Sequence, residues 1–338
     1  MEIDSIKMAK KLEPYCKTVL IAKKDHFIAN EMKASQTTQL ETIAFKSNLG
    51  FSLIYNLRRI IQKHNIKNVI FFGASELKSM YFAFLGLDIN LIIRHGTTKS
   101  RPKKDWFHRL IYLNVNYHVA ICEHLAKNVK YIIPFGKNTQ LVTIYSSLPK
   151  IDLVQKKTHS HNPIKLLHIG RIANAKGQKD AILACQILVD NNIDFELNLV
   201  GGFHEPYKEE FLNFLEHCSY KDKITLVGHT DKVSDFLNES DIFIFPSHGE
   251  GLSNAFLEAL AHNLICISYN NTSFPELEAL GFYFHMVENK NIQKLQSALL
   301  AICKEPKHEF TLHQNNNNQV TTIFSLSNEM ENYQKILR

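Results

Sequence analysis

Apolar and polar positions follow one clear rhythm in the second half of this chain. Short apolar runs end at glycine or proline, and stretches with helical spacing follow them. The runs cover 164–169 before Gly170, 195–200 before Gly201-Gly202, 224–227 before Gly228, 241–245 before Pro246, and 264–268. Between them, 181–191, 206–217, 233–238 and 252–261 carry the spacing of helices. Brief continuous apolar runs bounded by turn residues predict strands buried on both faces. Strands that alternate with helices predict a parallel α/β sheet. Ligands of such sheets sit beyond the carboxyl ends of the strands, which directs attention to the residues just after each run.

The first half alternates less regularly. It predicts helices over 1–12, 53–64, 105–113 and 123–128, and strands over 18–22, 68–72, 89–94, 117–122 and 141–145. Residues 146–163 hold Ser, Pro, Lys and His without periodicity and predict an interdomain linker. Residues 315–318 read as a polar loop, and Ser327 suits the cap of a last helix. The expected division is a first domain over 1–150, a linker over 151–163, a second domain over 164–326 and a C-terminal helix over 327–338. The full length of 338 residues agrees with about two domains.

Composition narrows the class. Hydrophobic residues are 45% and charged residues 21%, which excludes disordered and collagen-like chains. No apolar run reaches the ~18 residues of a spanning helix, and the first residues lack the apolar core of a secretory signal. Six scattered cysteines without a CxxC pair point to a reducing cytosol, and away from disulfides or a Cys-based zinc site. The net charge of +6 conceals an asymmetry. Residues 1–150 hold 23 Lys/Arg and 10 Asp/Glu, or +13, whereas 151–338 hold 16 and 23, or −7. Such a bias concerns partners rather than fold. It is either solvated surface or a face that meets something anionic.

Two constellations carry chemistry. Ser247-His248-Gly249-Glu250-Gly251-Leu252-Ser253-Asn254-Ala255-Phe256-Leu257-Glu258 follows a strand and opens a helix. Backbone N–H groups at a helix start can cradle a phosphate. Glu250 on the loop and Glu258 about two turns into the helix can reach opposite ends of an extended ligand. From spacing alone, Glu250 can equally complement the helix dipole, and Glu258 can be a solvated side chain. The second constellation is Gly170-Arg171 with Lys176-Gly177, after the first strand of this half. Cations there can neutralise a diphosphate, Arg through a fixed fork and Lys as a point charge. A surface loop with two solvated cations is the plain alternative. GxxxxGK[ST] is absent, as are HExxH and GxSxG. His159-Ser160-His161 and the spread of Asp231, Asp235 and Asp241 suggest no metal site.

Over roughly 164–285 the combined pattern resembles the donor domain of a retaining glycosyltransferase of the GT-B fold, family 4 type, as found in bacterial surface-polysaccharide synthesis. Gly170-Arg171 with Lys176-Gly177 matches that family's pyrophosphate loop, Glu250 and Glu258 its E-x7-E motif, and Pro275-Glu276-Leu277 its following loop. The chain departs at Asn263-Leu264-Ile265, where the family usually has Gly and Pro; a changed turn with unchanged chemistry is expected. The resemblance implies two Rossmann-like domains facing each other across a cleft. It implies that Arg171 and Lys176 hold the diphosphate, Glu250 the donor sugar's hydroxyls, and Glu258 the ribose. Gly170 shapes the loop, and Gly251, Leu252 and Ser253 offer backbone N–H groups. The reaction implied is front-face transfer with retention, with no cofactor and no metal, since Arg and Lys supply the positive charge.

Arg94-His95-Gly96 resembles the His-Gly turn of the family's acceptor domain, with His95 approaching the donor sugar. A lone His is otherwise a satisfied structural residue. Beside it, Lys99, Arg101, Lys103, Lys104, Trp106 and Arg109 interleave cations with aromatics. This suits a membrane interface or an anionic glycolipid, and by composition also nucleic acid. With the resemblance, the expected partners are a nucleotide-sugar donor, an anionic glycan or glycolipid acceptor and a membrane surface, without nucleic acid. The family begins with a strand and a Gly-rich loop, whereas residues 1–12 correspond to its first helix. The opening strand is therefore expected to be missing, through an upstream start or a trimmed domain.

The expectation is a cytoplasmic enzyme, peripheral at the inner face of the cytoplasmic membrane. It would move a hexose or N-acetylhexosamine from a nucleotide diphosphate-sugar, a UDP-sugar foremost, to a growing lipopolysaccharide, O-antigen or capsule glycan. The alternatives are a UDP-sugar 2-epimerase-like GT-B enzyme, which has no acceptor to explain the +13 half, and a non-catalytic nucleotide-sugar-binding subunit.

Overall fold

Strand pairing follows the apolar runs. A computed structural model describes residues 2–33, 39–73, 75–149 and 161–338. In the first half, strands Val19–Lys23 (β1) and Gln39–Ile43 (β2) pair in parallel as a separate ribbon. Strands Asn68–Phe71 (β3), Asn90–His95 (β4), Tyr117–Ala120 (β5) and Gln140–Thr143 (β6) form a second parallel sheet in sequence order. In the second half, Ile164–Ile169 (β7), Phe195–Val200 (β8), Ile224–Gly228 (β9), Ile242–Phe245 (β10), Ile265–Tyr269 (β11) and His285–Val287 (β12) form one parallel sheet. Its order is β12-β11-β10-β7-β8-β9. This is the doubly wound order, with the chain's direction of winding reversed between β7 and β10. Two parallel α/β units are the fold class the sequence predicts.

The central strands are buried throughout because helices cover both faces of the second sheet. Ile242 and Ile244 turn one way, into a core with Ile182 and Leu188 of helix Gln178–Asp190 and with Leu295 and Leu299 of helix Ile292–Lys304. Phe243 and Phe245 turn the other way and meet Phe256 at ring-centroid distances of 6.0 and 6.2 Å. Phe256 packs edge-on against Phe274 and Phe284. Alternation along one strand thus fixes helix Asn254–Ala261 beneath the sheet, and with it the loop that precedes this helix.

The first compact unit is Met1–Ser147 together with Leu326–Arg338, and the second is Leu148–Ser325. Most of the expected linker, 151–160, lies outside the described residues, and so do His159 and Ser160. His161 is firmly held: its N–H and Nδ1 bond the buried Asp241 carboxylate at 3.1 and 2.8 Å.

Two expectations are corrected. Residues 316–318 are helical, in Asn316–Ile323, not a loop. Asparagine is a poor helix former, but here tertiary bonds outweigh propensity. Buried Asn316 donates to the Tyr283 carbonyl and accepts from the Tyr283 N–H, while Asn317 donates to the Ala261 carbonyl. The last helix is Leu326–Ile336, so Ser327 lies inside it rather than capping it. Asn263 stands where the chain departs from the family pattern. Asn263 takes a left-handed φ of 54°, which asparagine tolerates better than most residues.

The last helix seals the first unit. Met330, Tyr333 and Ile336 pack with Met8, Leu12, Ile92 and Val119. On the same helix the buried Glu329 accepts from Lys11 Nζ at 2.6 Å and from the N–H and Oγ of Ser147 at 2.9 and 2.7 Å. Removing this carboxylate strands three donors. Glu329→Ala is expected to cost about 2–4 kcal/mol in urea denaturation of the full chain. A loss under ~0.5 kcal/mol, the scale of an ordinary surface change, would contradict the anchoring role.

Candidate active site

The loops after β7 and β10 leave the sheet at its winding reversal, where neighbouring strands diverge and open a crevice. The first loop runs from Gly170 through a short 3-10 turn, Asn174–Lys176, to Gly177, which precedes helix Gln178–Asp190. The buried Gln178 side chain ties the loop down, donating to the carbonyls of Gly170 and Arg171 at 3.3 and 3.1 Å. The second loop runs from Pro246 to Ser253, whose Oγ caps helix Asn254–Ala261 by accepting from the Phe256 N–H.

Gly177 locks the two loops together. Its φ is 77°, and a Cβ there would lie 2.0 Å from the Pro246 carbonyl oxygen. Only glycine permits both this dihedral and this approach. Around the contact, the His248 N–H donates to the Ala175 carbonyl at 2.9 Å, and the Ser247 hydroxyl donates to the same carbonyl at 3.1 Å. The Lys176 carbonyl is bonded to His168 Nε2 at 2.9 Å. Burial pulls the His168 imidazole down to about 4, so it is neutral and serves as a fixed strut.

This lock brings two of the predicted residues together. Lys176 Nζ lies 2.5 Å from Glu250 Oε1, with 29% and 11% of the side chains exposed. Ser247 Oγ is 3.1 Å from the same oxygen, and the Glu250 N–H donates to Thr272 Oγ1 at 3.1 Å. Arg171 is exposed on the same loop as Lys176, close behind β7. Gly251 and Leu252 are half-buried between Glu250 and the helix cap. The helix begins at Asn254, later than the spacing suggests, so half-buried Glu258 lies a little over one turn in rather than two.

Several participants escaped the sequence reading. Asp180 Oδ2 receives His248 Nε2 at 3.0 Å and the Tyr269 hydroxyl at 2.8 Å. Asn174, Ala175, Asp180 and His248 line a cavity of about 510 Å³ with Lys290 and Ile292. Asn271 Nδ2 donates to the Ser247 carbonyl at 2.8 Å. Thr272 and Lys290 both have positive φ, a sign of tight turns that no local motif announces.

The first unit holds the other candidates. His95 ends β4 and is 3% exposed; its Nε2 is 2.9 Å from Nδ1 of the buried His118 on β5. Burial, the His118 ring and Lys99 pull His95 down to about 2, and burial with Lys99 pulls His118 to about 3. Both imidazoles are therefore neutral at pH 7, and His95 can orient or donate a hydrogen bond but carries no charge. Lys99 is itself half-buried, which lowers its pKa. Its N–H and carbonyl are clasped by the Asn128 amide at 2.9 and 3.0 Å. Arg101, Lys104 and Arg109 are exposed, Lys103 is half-buried, and Trp106 is 77% exposed. Lys104 and Arg109 edge a pocket of about 400 Å³ whose lining includes Lys130, Lys137, Leu113 and Phe135. Cations around apolar side chains make this face amphipathic.

Comparison with known proteins gives a consistent picture. A family model described as glycosyl transferases group 1 matches residues 150–319. A capsular polysaccharide biosynthesis glycosyltransferase, CapH of Staphylococcus aureus, is 25% identical over 243 residues, covering 68% of this chain and 66% of CapH. Among other curated relatives the matched part is 36% and 55% of their lengths, so the chain spans less than two thirds of the relatives it matches first. A glycosyltransferase structure from Rickettsia africae ESF-5 superposes with a TM-score of 0.82 at 18% identity, covering 100% of this chain and 95% of that one. The structure of Anabaena HepE in complex with UDP and glucose gives 0.75 at 12% identity, covering 98% and 94%. These likenesses bear out the GT-B fold class.

Gly177→Ala is expected to lose at least about 2 kcal/mol in urea denaturation, from backbone strain and the clash with Pro246. Gly202→Ala, where an added Cβ meets nothing within 4 Å, should be nearly neutral. Equal losses would refute the lock. The histidine pair also sets a pH dependence. In the unfolded chain both rings take up protons below about 6.5; in the folded state they do not until about 2 or 3. Their contribution is therefore complete above 6.5 and is lost as pH falls, by up to about 1.4 kcal/mol per pH unit for each ring. His118→Leu should flatten the fall in stability between pH 6.5 and 5 relative to the parent protein; an equally steep slope would contradict it.

Proposed function

The chain belongs to the group 1 glycosyl transferases, and from that premise we propose that it is a retaining enzyme of the family 4 type. It moves a hexose or N-acetylhexosamine from a UDP-sugar to a growing surface glycan such as capsule, O-antigen or lipopolysaccharide. The observation that carries this reading is the Lys176–Glu250 pair at the winding reversal of the second sheet. The Glu250 carboxylate sits on the ammonium in the manner of a bound anion. An arriving diphosphate takes that place, and Glu250 is released to accept hydrogen bonds from the donor sugar's hydroxyls.

Arg171 is the second cation for the diphosphate, and its exposure leaves it able to swing onto the ligand. Gly251, Leu252 and Ser253 lie just before the start of helix Asn254–Ala261, where negative charge is favoured, and offer backbone N–H groups to the donor. Glu258 holds the ribose. As the sugar–phosphate bond breaks, charge grows on the diphosphate. Fixed cations and N–H dipoles stabilise that charge more than the ground state, which lowers the barrier. The departing diphosphate takes the acceptor's proton, and Arg171 and Lys176 supply the positive charge that a metal would otherwise provide, so transfer needs no metal. His95, neutral and oriented by His118, contributes a hydrogen bond on the sugar side. HepE's structure with UDP and glucose supports a UDP-sugar donor by analogy of fold, and CapH supports a capsule-type product.

The acceptor is an anionic, lipid-linked glycan at the inner face of the cytoplasmic membrane. Support comes from the +13 bias of residues 1–150 and the exposed Arg101, Lys104, Trp106 and Arg109. No helix among the described residues is long and apolar enough to cross a membrane. Exposed charge attraction of this kind is screened over a Debye length of about 8–10 Å.

Incubation with UDP-sugars and a lipid-linked acceptor in excess EDTA should give a product with the donor's anomeric configuration. Lys176→Ala and Glu250→Ala should each lower kcat/KM by about 100-fold or more. An inverted product, or full activity in both variants, would overturn the reading. Binding to anionic vesicles should weaken with rising salt and with Lys103→Ala/Lys104→Ala; binding unchanged by both would exclude this face as the membrane contact.

A further inference from the structure

A second cluster lies at the edge of the second sheet, away from the loops described above. His285 begins the edge strand β12, beside Ile267 of β11. Glu309 and His313 lie four residues apart on helix Pro306–His313, which places them on one face. His285 Nε2 is 2.7 Å from Glu309 Oε2, with 25% and 13% of the side chains exposed. One ligand atom from each of His285, Glu309 and His313 lies within 4.8 Å of the others.

His313 gives the cluster its meaning. The residue is fully buried, and its Nδ1 donates to the Glu309 carbonyl at 2.8 Å. That bond fixes the neutral tautomer with a lone pair on Nε2. Nε2 is buried and has no hydrogen-bond partner among the described residues. A buried acceptor without a partner is costly and calls for an explanation. Its ring is held by an edge-on contact with Tyr283 at 4.9 Å and lies 5.9 Å from the His285 ring. Metal-bound histidines characteristically donate their other N–H to a backbone carbonyl or carboxylate, as His313 does here.

We propose that His285, Glu309 and His313 form a binding site for one zinc ion. Two imidazole nitrogens and one carboxylate oxygen are a zinc ligand set, with a fourth position left for water. Bonds of about 2.0–2.2 Å place tetrahedral ligand atoms ~3.4 Å apart. The His285–Glu309 contact opens and His313 closes by small side-chain rotations to reach that spacing. The ion satisfies the orphaned Nε2 and ties the edge strand to the helix. Its role is structural, and it takes no part in sugar transfer.

The test uses the full chain, stripped with EDTA, returned to chelator-free buffer and titrated with Zn2+ by calorimetry and elemental analysis. The parent protein should bind one equivalent, and its melting temperature should rise by a few degrees. Co2+ in its place should give visible absorption of a low-coordinate site. His285→Gln and Glu309→Gln replace partly exposed side chains, so both variants should fold, and each should bind Zn2+ at least about tenfold more weakly. His313→Phe keeps the core filled and should abolish the cobalt spectrum. Absence of stoichiometric binding by the parent would overturn the proposal. So would binding that His285→Gln and Glu309→Gln leave unchanged.

Discussion

Gly177 seated on the backbone of Pro246 is the contact on which the rest of the candidate site depends. It joins two loops from neighbouring strands, β7 and β10, at the one place where the winding of the sheet reverses. With the loops locked, Lys176 and Glu250, 74 positions apart in the chain, meet as an ion pair. Without a Cβ at residue 177 the carbonyl of Pro246 can approach; with one, the loops separate. The buried struts beneath, His168 and Gln178, carry no net charge and hold backbone atoms of the first loop in place.

Burial divides the histidines of this chain by task. His95, His118 and His168 are kept neutral by desolvation, and their ring nitrogens serve as hydrogen-bonding parts of the scaffold. His161 and His248 instead pair with Asp241 and Asp180, which pins chain segments before and after the central strands β7 and β10 of the second sheet. His285 and His313 converge on one carboxylate. A chain with 17 histidines thus uses most of those described above as positioned neutral donors and acceptors rather than as charges.

What the sequence made legible was whatever has a local signal. Strands β7 to β10 are continuous apolar runs ended by glycine or proline, and β11 is an apolar run after a helix, so all but the short edge strand His285–Val287 are legible. Strand ends and helix starts single out Arg171, Lys176, Glu250 and Glu258 as positions, but spacing alone leaves solvated side chains as an equal reading, and their roles come from the family resemblance. The ribbon strand Gln39–Ile43 was not readable, because its polar residues give no apolar run. The Asn316–Ile323 helix was hidden by asparagines that are paired across the fold with Tyr283 and Ala261. Asp180, Thr272 and the His285–Glu309–His313 cluster are products of tertiary packing. No spacing along the chain announces that residues 24 or 28 positions apart will touch a common point. The apolar pattern extends helix Asn254–Ala261 back to Leu252, whereas the capping hydroxyl of Ser253 sets its start at Asn254.

The central claim is that Lys176 serves the donor's diphosphate and that Glu250 occupies its place until the donor arrives. A double-mutant cycle on UDP affinity, measured by calorimetry with Lys176→Ala, Glu250→Gln and the pair, tests it most directly. The account predicts at least about tenfold weaker binding for Lys176→Ala, near 1.4 kcal/mol. It predicts equal or tighter binding for Glu250→Gln, because the competing carboxylate is gone. Loss of affinity in Glu250→Gln as large as in Lys176→Ala, or no loss in either, would contradict it.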